Sequence, residues 1–325
     1  MGNLVNIAAV QYKLKVEDYR SRVTFQNRIN SIMEDIKSRV DSSIPLMVVF
    51  PEDIGTPILL YNSYEIMNKK YSFADALQSL ISSNLAPVLK YKLRFGISFI
   101  RALVLSQSIR MEKEYKAAFS IAAKKYNAYI VAGSITLPDI KLKANKPHVS
   151  KRNVYNISYF FDPDGNVIGK QKKVHLVDFE NKSGFDLSEG SLDEIKVFNT
   201  PFGNVGIAIC LDGFREDVLD KLYKNEADIL VQPSANNGEW SKWQQEDWLK
   251  GAYNSVHNKK LFKYAINPMM NGNIFGLNFE GQSSIISRDN TENKINFQSL
   301  DPINGFIQIA KSHNEEEVLI STIEI

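Results

Sequence analysis

Short apolar runs alternate with segments of helical period along this 325-residue chain. Leu4-Val5-Asn6-Ile7-Ala8-Ala9-Val10 reads as a strand, and Phe25, Ile29, Ile32, Met33 and Ile36 then fall on one helical face. Pro45-Leu46-Met47-Val48-Val49-Phe50 is a continuous apolar run, the pattern of a strand buried on both sides, and it stops at Pro51-Glu52-Asp53. A carboxylate therefore stands at a strand end. Residues 112–126 read as a helix and 128–135 as the next strand. Two further strands, 154–161 and 166–172, are joined by Asp162-Pro163-Asp164-Gly165, a tight reversal. Strand patterns recur at 194–198, 205–209, 228–232, 261–266, 283–287 and 318–325, with helical patterns at 214–224 and 246–258.

This alternation predicts an α/β fold, and with no repeat or linker it predicts a single domain over residues 1–325. Residues 59–110 fit the alternation poorly and read as an insertion over one sheet edge, at about 60–110. Within it Tyr91, Phe95, Phe99 and Leu103 recur at spacing four and predict one helix face packed on the body.

Composition narrows the classes. Hydrophobic residues are 44% and charged residues 23%, which excludes fibrous and low-complexity chains. With 39 basic against 37 acidic residues the net charge is +2, too dilute for an electrostatic grip on nucleic acid or an anionic membrane. The most apolar stretch, 95–105, is interrupted by Arg101 and falls short of the roughly 20 residues of a membrane span. A single cysteine rules out intrachain disulfides and Cys-rich metal sites, and four histidines scattered at 148, 175, 257 and 313 argue against a histidine-built one. No metal or cofactor is expected. Met1-Gly2-Asn3 runs straight into the first strand and Asn6 stands where a myristoylation signal needs Ser or Thr, so a cytoplasmic protein without a leader is expected.

The lone Cys210 lies where an apolar strand gives way through Asp212-Gly213 to a helix, a position that suits a nucleophile and would favour its thiolate. A thiol attacking an acyl carbon needs a proton acceptor and positive charge for the oxyanion. Glu52, leaving its apolar run, suits the first, and Lys173, ending the hairpin, suits the second. Spacing alone does not single them out, because strand-end glutamates and lysines are mostly solvated.

Order along the chain does. Phe50-Pro51-Glu52, Lys173-Val174-His175-Leu176 and Gly206-Ile207-Ala208-Ile209-Cys210-Leu211-Asp212 resemble the three signature blocks of the nitrilase, or carbon–nitrogen hydrolase, superfamily. Asn156, Gln232-Pro233-Ser234-Ala235-Asn236 and Phe279-Glu280-Gly281-Gln282 add to the likeness, which spans all but about residues 60–110. The resemblance implies a four-layer α/β/β/α sandwich, a homodimer or higher homo-oligomer, and a cofactor-free triad. In it Cys210 is the nucleophile, Glu52 the general base, and Lys173 with the Leu211 N–H the oxyanion site. It implies a small carboxamide as substrate, hydrolysed through a thioester. An N-carbamoyl amine, a nitrile, or a catalytically silent binding homologue are the alternatives, and Leu211-Asp212 in place of Trp-Glu leans away from nitriles. The family often carries a second glutamate after Gly-Ser-Ile; here Gly133-Ser134-Ile135 leads to Asp139, a candidate positioning acid. His175 is a candidate supporting hydrogen-bonder, and the tryptophans at 240, 243 and 248 read first as helix–sheet packing or a subunit interface, with Trp240 in the pocket wall as the lesser alternative.

Overall fold

The computed structural model describes residues 2–63, 66, 72–182 and 184–325. In chain order, β1 (Leu4–Leu14) leads to α1 (Arg22–Ser38) and β2 (Leu46–Val49), and helices α2 (Phe73–Ser83), α3 (Leu85–Phe95) and α4 (Phe99–Tyr126) follow. Next come β3 (Ala128–Val131), β4 (Ile135–Leu137), β5 (Ile140–Lys143), β6 (Lys146–Val149), β7 (Tyr155–Phe161) and β8 (Val167–Lys172). The C-terminal half holds β9 (Val197–Thr200), β10 (Gly203–Ile207), α5 (Glu216–Lys224), β11 (Ile229–Val231), β12 (Ser234–Ala235) and α6 (Lys242–Trp248). It ends with β13 (Tyr264–Asn267), β14 (Met269–Ile274), β15 (Leu277–Phe279), β16 (Ser284–Ser287), β17 (Phe306–Ile309) and β18 (Glu317–Glu324).

One sheet runs β12-β14-β1-β2-β3-β7-β4, with β18, β8 and β15 on its flanks, and the other runs β17-β16-β13-β11-β10-β9. Strict alternation in β1 explains how they stack. Val5, Ile7 and Ala9 pack into the core shared with β10, β11 and β13, while Ala8, Val10 and Tyr12 face the core formed with α1 and α4. Phe25, Ile29 and Phe119 cover that outer face, and Val218, Leu219 and Leu222 of α5 cover the smaller sheet, giving four layers, α/β/β/α. Gly206 belongs to this packing, since a Cβ there would lie 3.0 Å from Leu222. The centre of each sheet is parallel, β1-β2-β3 in one and β10-β11-β13 in the other, so strand C-termini within each gather at one end, the usual place for chemistry.

The hairpin forms as its turn residues predict: Gly165 takes φ 82°, and Asp162 Oδ1 accepts from the N–H groups of Asp164 and Asn166. Three details differ from the periodicity. Tyr91 and Phe95 do not share a helix with Phe99 and Leu103, because Gly96 at φ 62° ends α3 and the Ser98 hydroxyl caps α4 by accepting from Arg101 N–H. The 28-residue α4 runs through residue 110, so the irregular stretch has no boundary there; its residues 64–65 and 67–71 lie outside the described residues. The helix expected over 246–258 is instead α6, capped by Ser241, followed by a π-helical turn at Asn254–Asn258.

Candidate active site

Three strand exits build the site. Phe50 N–H still donates to Val131 O at 2.9 Å, after which Pro51 ends the ladder and Glu52 turns inward, 2% exposed. The Gly133-Ser134 pair fixes this exit from the neighbouring strand: Ser134 Oγ accepts from Asp53 N–H at 2.8 Å, and Gly133, at φ 63°, leaves no room for a Cβ against Pro51 O. Lys173 follows β8, tied down by its N–H to Asn156 O at 2.9 Å and by Gly190 N–H to its own carbonyl at 2.8 Å. Cys210 lies beyond β10 at φ 48°, a left-handed conformation uncommon for a side chain of any size, held by its N–H to Pro233 O and by Gln232 Nε2 to its carbonyl, both 2.9 Å. Asp212 ties that turn to the lysine exit, accepting from the N–H groups of Val174 at 2.9 Å and His175 at 2.8 Å.

The side chains meet. Lys173 Nζ lies 2.8 Å from Glu52 Oε1 and 2.7 Å from Glu180 Oε2, and Asn156 Nδ2 donates to both carboxylates, at 2.9 and 3.0 Å. Ala235 N–H donates to Glu52 Oε2 at 3.0 Å. Burial pushes the Glu52 carboxyl up to about 8, against the pull of Lys173 and with the help of Glu180 and Asp53. Burial also opposes the Lys173 ammonium, yet Glu52, Cys210 and Glu180 together raise it well above its ordinary value. An ammonium has three N–H donors, and the two carboxylates leave one of them without a partner among the described residues. The Leu211 amide has no acceptor among them either, and Glu52, Lys173, Cys210 and Leu211 all line one cavity of about 910 Å³. Such a cluster offers a thiol, a carboxylate to receive its proton and two donors for a developing oxyanion.

A profile for carbon–nitrogen hydrolases matches residues 47–290, the stretch that contains all of these groups. The chain belongs to the carbon–nitrogen hydrolase family. As a member of it, the chain is 35% identical to the omega-amidase NIT2 of Xenopus tropicalis over 123 residues, which is 36% of this chain and 40% of that relative. The match thus spans less than half the relative's length. Among solved structures, Saccharomyces cerevisiae Nit3, a member of branch 10 of the nitrilase superfamily, superposes with a TM-score of 0.62 at 18% identity, covering 99% of this chain and 90% of that one. A carbon–nitrogen hydrolase from Helicobacter pylori gives 0.63 at 17% identity, with the same two coverages. These two likenesses are of fold.

Several expectations drawn from the motifs are corrected. Asp139 does not approach Glu52 or Lys173; it pairs with Lys170 at 3.0 Å and Lys172 at 2.8 Å, on the outer side of β8. The buried second carboxylate is Glu180, from the turn Asp178–Glu180, and nothing in the pattern Asp178-Phe179-Glu180 marks it before the loop folds back. The His175 ring turns away to Asp217, with Nε2 2.9 Å from Oδ2, and only its backbone serves the site. Trp240 is buried against Trp248 and Phe297, in keeping with the packing role read for the cluster rather than the alternative in the pocket wall, whereas Trp243 and Trp248 line the cavity. A helix start is expected to lower the Cys210 thiol, but burial, with Glu52 beside it, pushes it well above its ordinary value. Among the described residues no group of three His, Cys, Asp or Glu side chains is arranged around a metal position.

Proposed function

We propose that this chain hydrolyses a carboxamide to a carboxylic acid and ammonia through a thioester on Cys210. The Cys210 sulfur attacks the amide carbon as its proton passes to Glu52, and the carbonyl oxygen becomes an oxyanion held by the free N–H of Lys173 and the amide of Leu211. Glu52 then gives that proton to the departing nitrogen; the C–N bond breaks and ammonia leaves. A water loses its proton to Glu52 as it attacks the thioester, and the returning proton restores the thiol while the acid departs. A carboxyl raised by burial suits both directions of this transfer, being neither too weak a base nor too weak an acid near neutral pH. Glu180 and Asn156 position Lys173 and Glu52 and touch no reacting atom in this scheme.

One observation carries the reading: Lys173 bridges two buried carboxylates on the wall of the cavity that also holds Cys210, leaving one donor for the substrate. Intact-protein mass spectrometry after brief exposure to a mixture of amides tests it. An acyl adduct mapping to Cys210, accompanied by ammonia release, is the expected result. No adduct and no ammonia with any amide rejects the proposal.

A further inference from the structure

The cavity is larger and more apolar than a small carboxamide requires. At about 910 Å³ it lies high in the range of about 300–1,000 Å³ that receives drug-sized ligands. Its extra wall comes from α2, where Phe73, Ala76, Leu77 and Leu80 line the cavity from successive turns, and Leu60 and Leu277 line it as well. The helix is pinned to the loop that carries Glu180, because the Phe73 ring lies 5.6 Å from Phe179 and 5.2 Å from Phe185. Residues outside the signature blocks thus shape the space beside the reacting sulfur.

The charges lining this space speak against an acidic acyl group. Lys173, the buried cation of the cavity, is already held by two carboxylates, and Asp53 adds a third acid, half-buried, to the lining. Arg215 and Lys250 also line the cavity, but both are exposed, and Lys250 is paired with Asp247 at 2.9 Å. A substrate carboxylate drawn inward would be repelled by Glu52, Glu180 and Asp53, whereas at the rim it would meet only water-screened charge.

We infer that the acyl side of the substrate is a medium- or long-chain, uncharged aliphatic group that lies against α2, the substrate being a fatty acid amide. The inference rests on the hydrolase reading above and deepens it. Each methylene buried against α2 is worth about fourfold in kcat/KM, the equivalent of about 0.8 kcal/mol.

Ammonia release from acetamide, butyramide, hexanamide and octanamide, with glutaric acid monoamide as the acidic comparison, tests this. The expected profile climbs by about fourfold per methylene, with glutaric acid monoamide well below hexanamide. In Leu77→Asp the octanamide-to-acetamide ratio of kcat/KM falls by about tenfold or more. Calorimetric titration of the Cys210→Ala protein with octanamide and butyramide gives an answer that does not need the Leu77 variant to fold, with octanamide binding more tightly. A flat profile, or a preference for glutaric acid monoamide, while ammonia is still released, overturns the fatty-acyl inference and leaves the hydrolase reading intact. No turnover of any of the five amides removes both.

Discussion

At the scale of single residues, the proposed reaction depends on a proton passed between the Cys210 sulfur and the Glu52 carboxylate. Cys210→Ala is expected to abolish ammonia release with an unchanged circular dichroism spectrum; release at the parent rate would eliminate the thioester route. Lys173→Ala removes an oxyanion donor and strands Glu52 and Glu180 together in the interior. Turnover should drop by about a hundredfold or more and stability by about 3–5 kcal/mol in urea denaturation, and a change under threefold in rate would show the lysine to be uninvolved. Because Glu52 must be ionised to accept the thiol proton, kcat/KM should rise with pH toward its value of about 8. The Glu180 charge helps to keep that value high, so in Glu180→Gln the rise should move to lower pH. A purely structural Glu180 would leave the limb in place.

At the scale of elements, the turns after the strands do the positioning, and small residues make them possible. Gly213 packs on the Gln232 side chain so closely that a Cβ would overlap it, and Gln232 in turn holds the Cys210 carbonyl and accepts from Ala252 N–H at 3.1 Å. Gly213→Ala should therefore lower kcat by about tenfold or more, since small displacements of a nucleophile are costly, although residue 213 touches no reacting group. Full activity in that variant would show that Gln232 can move without carrying Cys210 along. Gly133 works in the same way on the Glu52 exit, which gives the Gly-Ser-Ile motif a structural reason independent of the acid that follows it.

At the scale of the molecule, burying the site costs stability in a pH-dependent way. Burial raises Glu52 to about 8, and Asp53 and Asp212 each to about 6, above their ordinary values of 4.5 and 3.8. The unfolded chain gives up these protons first, so their contribution is fully present below the ordinary values and is lost as pH climbs through the folded ones. The melting temperature of Glu52→Gln, compared with the parent, should accordingly gain between about pH 5 and pH 8; a difference that stays constant with pH would contradict the raised carboxyl. Among the described residues no helix is long and apolar enough to cross a membrane. Much of the architecture was legible in the chain. The period-two pattern of β1 and the buried run of β2 specify layers, and Pro51, Asp162-Pro163-Asp164-Gly165 and Asp212-Gly213 mark where strands stop, because turn chemistry is local. The order of the three blocks likewise put Glu52, Lys173 and Cys210 at strand exits. Which carboxylate reaches Lys173, in which direction the thiol shifts, and what walls the cavity were decided only on folding. Asp139 and Glu180 are equally acidic on paper, and one pairs with Lys170 and the largely buried Lys172 while the other is carried by its loop to Lys173. Burial and long-range approach set these outcomes, and neither is a property of neighbouring residues in sequence.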